Sequence, residues 1–195
     1  QMRIVLSWGS NPSDLDSHIV GMTKSGDPFH VAYYDRSFYD SYGENLVWLD
    51  VDDTSSYGPE TVTLVDLDQI EEFTYCIHNF SYRSSGEEDS GAYSLSDSGA
   101  KIDVYKGNAQ IASYNVPTNR KGTVWNVFSF DSNGVIRRIN TFEFESDDDE
   151  AKKYDGTFDF EEGNNYISTT AMHGFYILEI NLESGERFIE KINIQ

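Results

Sequence analysis

The alternation of apolar and polar positions divides the chain into short extended segments separated by turn residues. Ile4-Val5-Leu6-Ser7-Trp8 is an apolar run closed by Gly9, Asn11 and Pro12, which predicts a buried strand. In Asp14-Leu15-Asp16-Ser17-His18-Ile19, Leu15 and Ile19 fall on one face of a strand, with Asp14, Asp16 and His18 on the other. Phe29 to Tyr34 alternates likewise, Phe29, Val31 and Tyr33 opposing His30. Leu46 to Asp52 places Leu49 and Val51 on one face and Asp50 and Asp52 on the opposite one, with Asp53 arriving where the strand should end. Thr61 to Val65 and Phe73 to Phe80 predict two more strands, and Ile102 to Tyr105, Ile111 to Val116 and Val124 to Phe130 another three. Asp131-Ser132-Asn133-Gly134 is a hairpin turn of the Asn-Gly kind leading into Val135-Ile136. Phe175 to Leu182 and Phe188 to Ile194 form a final hairpin around Ser184-Gly185-Glu186.

Between these segments lie a Tyr-rich loop from Asp35 to Asn45 and a Ser, Gly and acid-rich loop from Ser81 to Gly99, the latter long for a compact domain. No amphipathic helix is evident beyond a turn near Asp66 to Glu72. Many short strands spaced by turn signals predict an all-β protein, an antiparallel β-sandwich with long acidic loops. Composition changes near Glu145, where Ser146-Asp147-Asp148-Asp149-Glu150 opens an acidic stretch. Residues 1–145 therefore read as a sandwich module that binds a ligand. Residues 146–195 read as an acidic loop and hairpin extension on the same domain, since about fifty residues make a poor independent core.

Charge sharpens this picture. The chain of 195 residues carries a formal charge of −20, which excludes the clustered Lys and Arg that nucleic acid or an anionic membrane needs. So large an excess opposes compaction unless bound cations relieve it. Cys76 is the single cysteine, so no internal disulfide is available, and no apolar window reaches the length of a membrane span. The chain opens directly on an apolar strand, which predicts a monomeric module within a larger chain.

The acids Asp14, Asp16, Asp50, Asp52, Asp53 and Glu60 are the strongest candidate constellation. Clustered hard oxygen ligands favour Ca²⁺, which accepts six to eight oxygens in irregular geometry. Their spacing fits no EF-hand loop, so such a site is assembled from separate loops. His18, His30 and His78, with Asp16 or Asp52, are an alternative set for zinc or another transition metal. No HExxH or GxSxG motif is present, and Cys76 sits mid-strand as a packed thiol, so no catalytic residues are assigned and the protein is not read as an enzyme. Tyr33, Tyr34, Tyr42 and Trp48 cluster around the Asp35 to Asn45 loop and, with His18 and His30, are candidate ligand-binding residues.

The segments Leu6 to His18, Phe29-His30-Val31, Leu49 to Glu60 and Gly122 to Phe128 resemble a β-sandwich module of bacterial surface proteins. More narrowly, the combination of DLDSH with LDVDDTSSYGPE resembles the peptide-binding domain of giant repeats-in-toxin adhesins, including ice-binding ones. That resemblance covers residues 3–142. It implies a secreted, cell-surface, calcium-rich setting and a calcium-dependent adhesion module that grips proteins or peptides on other cells. Calcium use carries over to the matching acids Asp14, Asp16, Asp50, Asp52, Asp53 and Glu60. The competing expectations are a carbohydrate-binding module on the Tyr33 to Trp48 aromatics and a metallo-hydrolase built on His18, His30 and His78.

Overall fold

The computed structural model describes residues 1–146 together with the backbone of 174–181 and 187–194. The strands are, in chain order, β1 (Met2–Ser7), β2 (Asp16–Thr23), β3 (Pro28–Val31), β4 (Ser37–Tyr39), β5 (Asn45–Val51) and β6 (Glu60–Leu64). Then come β7 (Ile70–His78), β8 (Lys101–Lys106), β9 (Ala109–Asn115), β10 (Val124–Phe130) and β11 (Ile136–Glu143). They make two antiparallel sheets, ordered β4-β5-β6-β1-β8-β9 and β11-β10-β7-β2-β3. The protein is an all-β antiparallel sandwich.

Alternation drives this arrangement. In β1, Met2, Ile4 and Leu6 are buried while Arg3 is exposed, and in the paired β8 Ile102 and Val104 are fully buried. The facing sheet contributes Phe73, Tyr75 and Ile77 from β7 and Trp125 and Phe128 from β10. Aromatic stacking locks the layer between the sheets: Phe73 lies 5.0 Å from Phe130, and Phe128 sits between Tyr75 at 5.5 Å and Tyr114 at 5.3 Å. Each such side chain contributes roughly 1.5–3 kcal/mol of burial.

Three features depart from the alternation. The Tyr-rich segment read as a loop contains β4, which pairs with β5 through Phe38 opposite Val47. The Ser81 to Gly99 segment is a succession of tight turns with Ala92 and Leu95 fully buried. There Ser94, Ser96 and Ser98 each donate to the carbonyl three residues earlier, so hydroxyls that suggest solvent in the sequence are used locally. Third, β2 is buried on both faces: Ser17 and Ile19 on the core side and, on the outer side, Asp16 at 3% exposure and His18 at 0%.

The chain divides into two compact units, Gln1–Asp155 and Gly156–Gln195. In the second, β12 (Gly174–Asn181) pairs antiparallel with β13 (Arg187–Ile194), the register running from Gly174 opposite Ile194 to Asn181 opposite Arg187. The turn at 182–186 and the acidic stretches at 147–150 and 155–165 lie outside the described residues.

Candidate metal centre

Two loops that are far apart in sequence are zipped together at one end of the sandwich. Gly9 to Asp14 joins β1 to β2, and Asp52 to Pro59 joins β5 to β6. The backbone N–H of Ser56 donates to Ser13 O at 2.7 Å, that of Tyr57 to Gly9 O at 3.2 Å, and that of Trp8 to Tyr57 O at 3.3 Å. The Trp8 indole donates to Pro12 O at 3.1 Å, closing the first loop on itself. Ser56, Tyr57 and Gly58 all take positive φ, at 81°, 70° and 73°. For Ser and Tyr that backbone is strained, by about 1–2 kcal/mol each, and the cross-loop bonds hold it. At Gly58 only glycine fits, because a Cβ would come within 2.8 Å of the Trp8 ring.

This zipper brings Asp16, Asp52 and Glu60 together. One carboxylate oxygen from each lies within 4.8 Å of the other two. Asp16 comes from β2 in one sheet and Glu60 from β6 in the other, so the cluster bridges the two layers. Glu60 is fully buried, and its Oε2 accepts the Ser17 backbone N–H at 2.7 Å. Ser17 Oγ in turn bonds to the buried Tyr75 hydroxyl at 2.7 Å. The remaining oxygen, Glu60 Oε1, is buried and has no hydrogen-bond partner, and the same holds for Asp52 Oδ1.

Electrostatics make that arrangement unstable as it stands. Two full negative charges at this separation repel by roughly 3–4 kcal/mol even at an effective dielectric constant of ~20. No described Lys or Arg pairs with Asp52 or Glu60, whereas Asp103, Glu88 and Asp131 each have a cationic partner. Burial therefore drives the Glu60 carboxyl up from its ordinary 4.5 to about 8, more than the Ser17 donors pull it back, with a smaller push from the Asp52 charge.

Not all six predicted acids converge. Leu49 is buried but Val51 is exposed, because the β5–β6 register shifts between them. Asp50 and Asp52 consequently do not share a site. Asp50 is held on the outer surface by the Trp48 indole and the Thr63 hydroxyl. Asp53 turns into the loop, where its Oδ1 accepts from the Ser55 N–H at 2.8 Å and the Ser55 hydroxyl at 2.7 Å; these bonds hold its carboxyl below the ordinary range. Asp14 is half-buried beside the cluster, its backbone N–H donating to Ser81 Oγ at 2.9 Å, but it belongs to neither converging group.

A second group shares Asp16. Single ligand atoms of Asp16, His18 and His78 also lie within 4.8 Å of one another, and all three residues are buried. Asp16 stands opposite His78 across the β2–β7 pair, and His18 lies two residues further along the same face. That pairing of β2 with β7 is not legible in the spacing of the chain, which is why His78 was only an alternative ligand in the sequence.

The aromatic candidates do not form one platform. Tyr33 meets Phe80 edge-to-face against the core at 5.4 Å between ring centroids, whereas Tyr42 is 88% exposed at the tip of the β4–β5 hairpin. Tyr34 leans on His30 at 5.7 Å between ring centroids. Trp48 lines a shallow cleft with Tyr39, Asp40, Glu44 and Gln69. His18, predicted as a surface contact, is completely buried and unavailable to one.

No family model matches the chain, and no curated protein matches it. Among solved structures the fold is similar to a homologue of the telluride resistance protein TerD from Streptomyces coelicolor A3(2). The TM-score is 0.50, at 14% identity, over 76% of this chain and 93% of that one. It is also similar to a protein of unknown function, SAV2460, with a TM-score of 0.48 at 16% identity over 75% of this chain and 90% of that one. Likeness at this level speaks to the fold, and one sandwich fold hosts many functions. The TerD homologue is not an adhesin, and this overturns the expectation of a calcium-dependent adhesion module.

Proposed function

We propose that the protein is a divalent-cation-binding β-sandwich in which one hard cation is held by Asp16, Asp52 and Glu60. The observation that carries this reading is the orphaned oxygen of a fully buried Glu60 whose carboxylate lies beside two further carboxylates. A buried carboxylate oxygen left without a donor costs several kcal/mol, and a cation removes that cost for Glu60 and Asp52 at once. The all-oxygen donor set suits Ca²⁺ better than softer metals. Because the ligands come from a strand of each sheet and from the Asp52 to Pro59 loop, the ion would act as a clamp. It would tie β2 to β6 and stiffen the loops at that end of the sandwich.

The test is thermal unfolding of protein stripped with chelator and then titrated with Ca²⁺ or Mg²⁺. At a hundred times the dissociation constant, binding adds about 2.7 kcal/mol to stability. For a protein of this size that raises Tm by roughly 5–10 °C. A melting curve that responds neither to chelator nor to added cation refutes the reading.

A further inference from the structure

We infer a second metal site, adjacent to the first and of different chemistry: Asp16, His18 and His78 form a two-nitrogen, one-oxygen site for a transition metal of the Zn²⁺ class. It does not depend on an ion at the acid cluster; the two sites have only Asp16 in common.

The first argument is convergence. Three potential ligand atoms on three buried residues lie within 4.8 Å of one another, near enough for small side-chain shifts to bring them to the roughly 3.3–3.5 Å separation of ligands around a tetrahedral Zn²⁺. Imidazole nitrogens with a carboxylate oxygen suit Zn²⁺, Co²⁺ and Ni²⁺ rather than Ca²⁺ or Mg²⁺. Three protein ligands leave a fourth position for water or another group.

Second, hydrogen bonding around the two imidazoles selects Nδ1 as the ligating nitrogen of His78 and leaves Nε2 of His18 to ligate when its Nδ1 is the donor. His78 Nε2 lies 3.0 Å from the Glu145 carbonyl oxygen. A carbonyl only accepts, so Nε2 carries the proton and the lone pair resides on Nδ1. His18 Nδ1 lies 3.0 Å from His30 Nε2, and Tyr34 Oη lies 3.2 Å from His30 Nδ1. When His18 donates through Nδ1 to His30, its Nε2 carries the lone pair, and His30 donates onward from Nδ1 to the Tyr34 oxygen. Both arrangements follow the usual pattern for a metal-bound histidine, whose second nitrogen donates to an outer partner that fixes the tautomer and raises ligand basicity.

The third is geometry of access. Exposure rises along this chain of rings, from His18 at 0%, through a half-buried His30, to Tyr34 at 41%. His30 and Tyr34 thus connect the buried cluster to the surface. His30 is assigned as a positioning residue that acts through His18, whereas in the sequence it stood as a ligand in its own right.

The geometry makes Asp16 the hinge between sites. A carboxylate with two oxygens can serve a hard ion on one side and a borderline one on the other. Loading either site should therefore alter the affinity of the other.

The test uses the full chain, stripped of metal and titrated with Co²⁺ and Zn²⁺. Four-coordinate Co²⁺ held by two imidazoles, a carboxylate and water gives a visible ligand-field absorption far more intense than that of hexa-aquo Co²⁺. The expected result is one equivalent of Co²⁺ with that absorption, displaced by Zn²⁺. His78→Gln and His18→Gln should each weaken binding at least tenfold, and His30→Gln by tenfold or more through loss of the outer hydrogen bond. Long-range ¹H–¹⁵N spectra of the unsubstituted protein give a readout that no folding defect can confuse. His78 should appear as the Nε2–H tautomer and His18 as the Nδ1–H tautomer, and Zn²⁺ should shift His78 Nδ1 and His18 Nε2. Absence of the ligand-field band, or Zn²⁺ leaving both imidazoles unshifted, overturns the second site. Loss of the Ca²⁺ response alone would overturn the acid site and leave this one standing.

Discussion

Glu60→Gln separates a cation-holding carboxylate from a merely buried one, because the two make opposite demands on stability. In metal-free protein the Glu60 carboxyl keeps its proton up to about 8, against an ordinary 4.5. An acid whose folded value is raised holds more protons folded than unfolded, so stability falls as pH climbs through that window. At about 1.36 kcal/mol per pH unit, most of the window between pH 5 and pH 8 corresponds to roughly 3 kcal/mol lost. That is about 6–12 °C in Tm for a chain of this length. Glutamine cannot ionise, retains the oxygen that accepts the Ser17 N–H, and places amide donors beside Asp16 and Asp52. In chelator, Glu60→Gln should therefore melt at the same temperature as the parent near pH 5 and above it near pH 8. With Ca²⁺ added at pH 8 the order reverses: the parent gains stability and the variant does not. The assay is differential scanning fluorimetry or calorimetry across pH, with chelator and with cation. Parallel pH profiles for the two proteins in chelator would refute the placement of Glu60 as a buried ionisable group. A variant that still responds fully to Ca²⁺ would refute its role as a ligand.

Asp50→Asn and Asp53→Ala should leave the cation-induced rise in Tm intact, since Asp50 is engaged with Trp48 and Thr63 and Asp53 with Ser55; a lost response in either, measured by the same melts, would redraw the ligand set. Gly58→Ala should destabilise the protein by roughly 1–3 kcal/mol in urea unfolding, because the new methyl meets the Trp8 ring at 2.8 Å on a backbone of φ +73°. It should also weaken cation binding in titration calorimetry, as the turn sets the spacing of Asp52 and Glu60.

The sandwich was legible in the chain because its evidence is local. A strand buried on one face needs period-two alternation, and segments such as Ile102 to Tyr105 carry it within a few residues. Three members of the acid cluster, Asp16, Asp52 and Glu60, were likewise visible as residue types at strand ends. Which acids meet was not visible, because the decision lies in a one-residue register shift between Leu49 and Val51 that sends Asp50 to the surface and leaves Asp52 beside Glu60. A slip of that size reverses every side chain beyond it, and nothing in the alternation announces it. The histidine set depended on longer-range facts still: that β2 lies between β7 and β3, and that its outer face is buried as completely as its inner one. Short-range pattern settles which residues face a core. Only the pairing of strands sixty residues apart decides that Asp16 and His78 stand side by side.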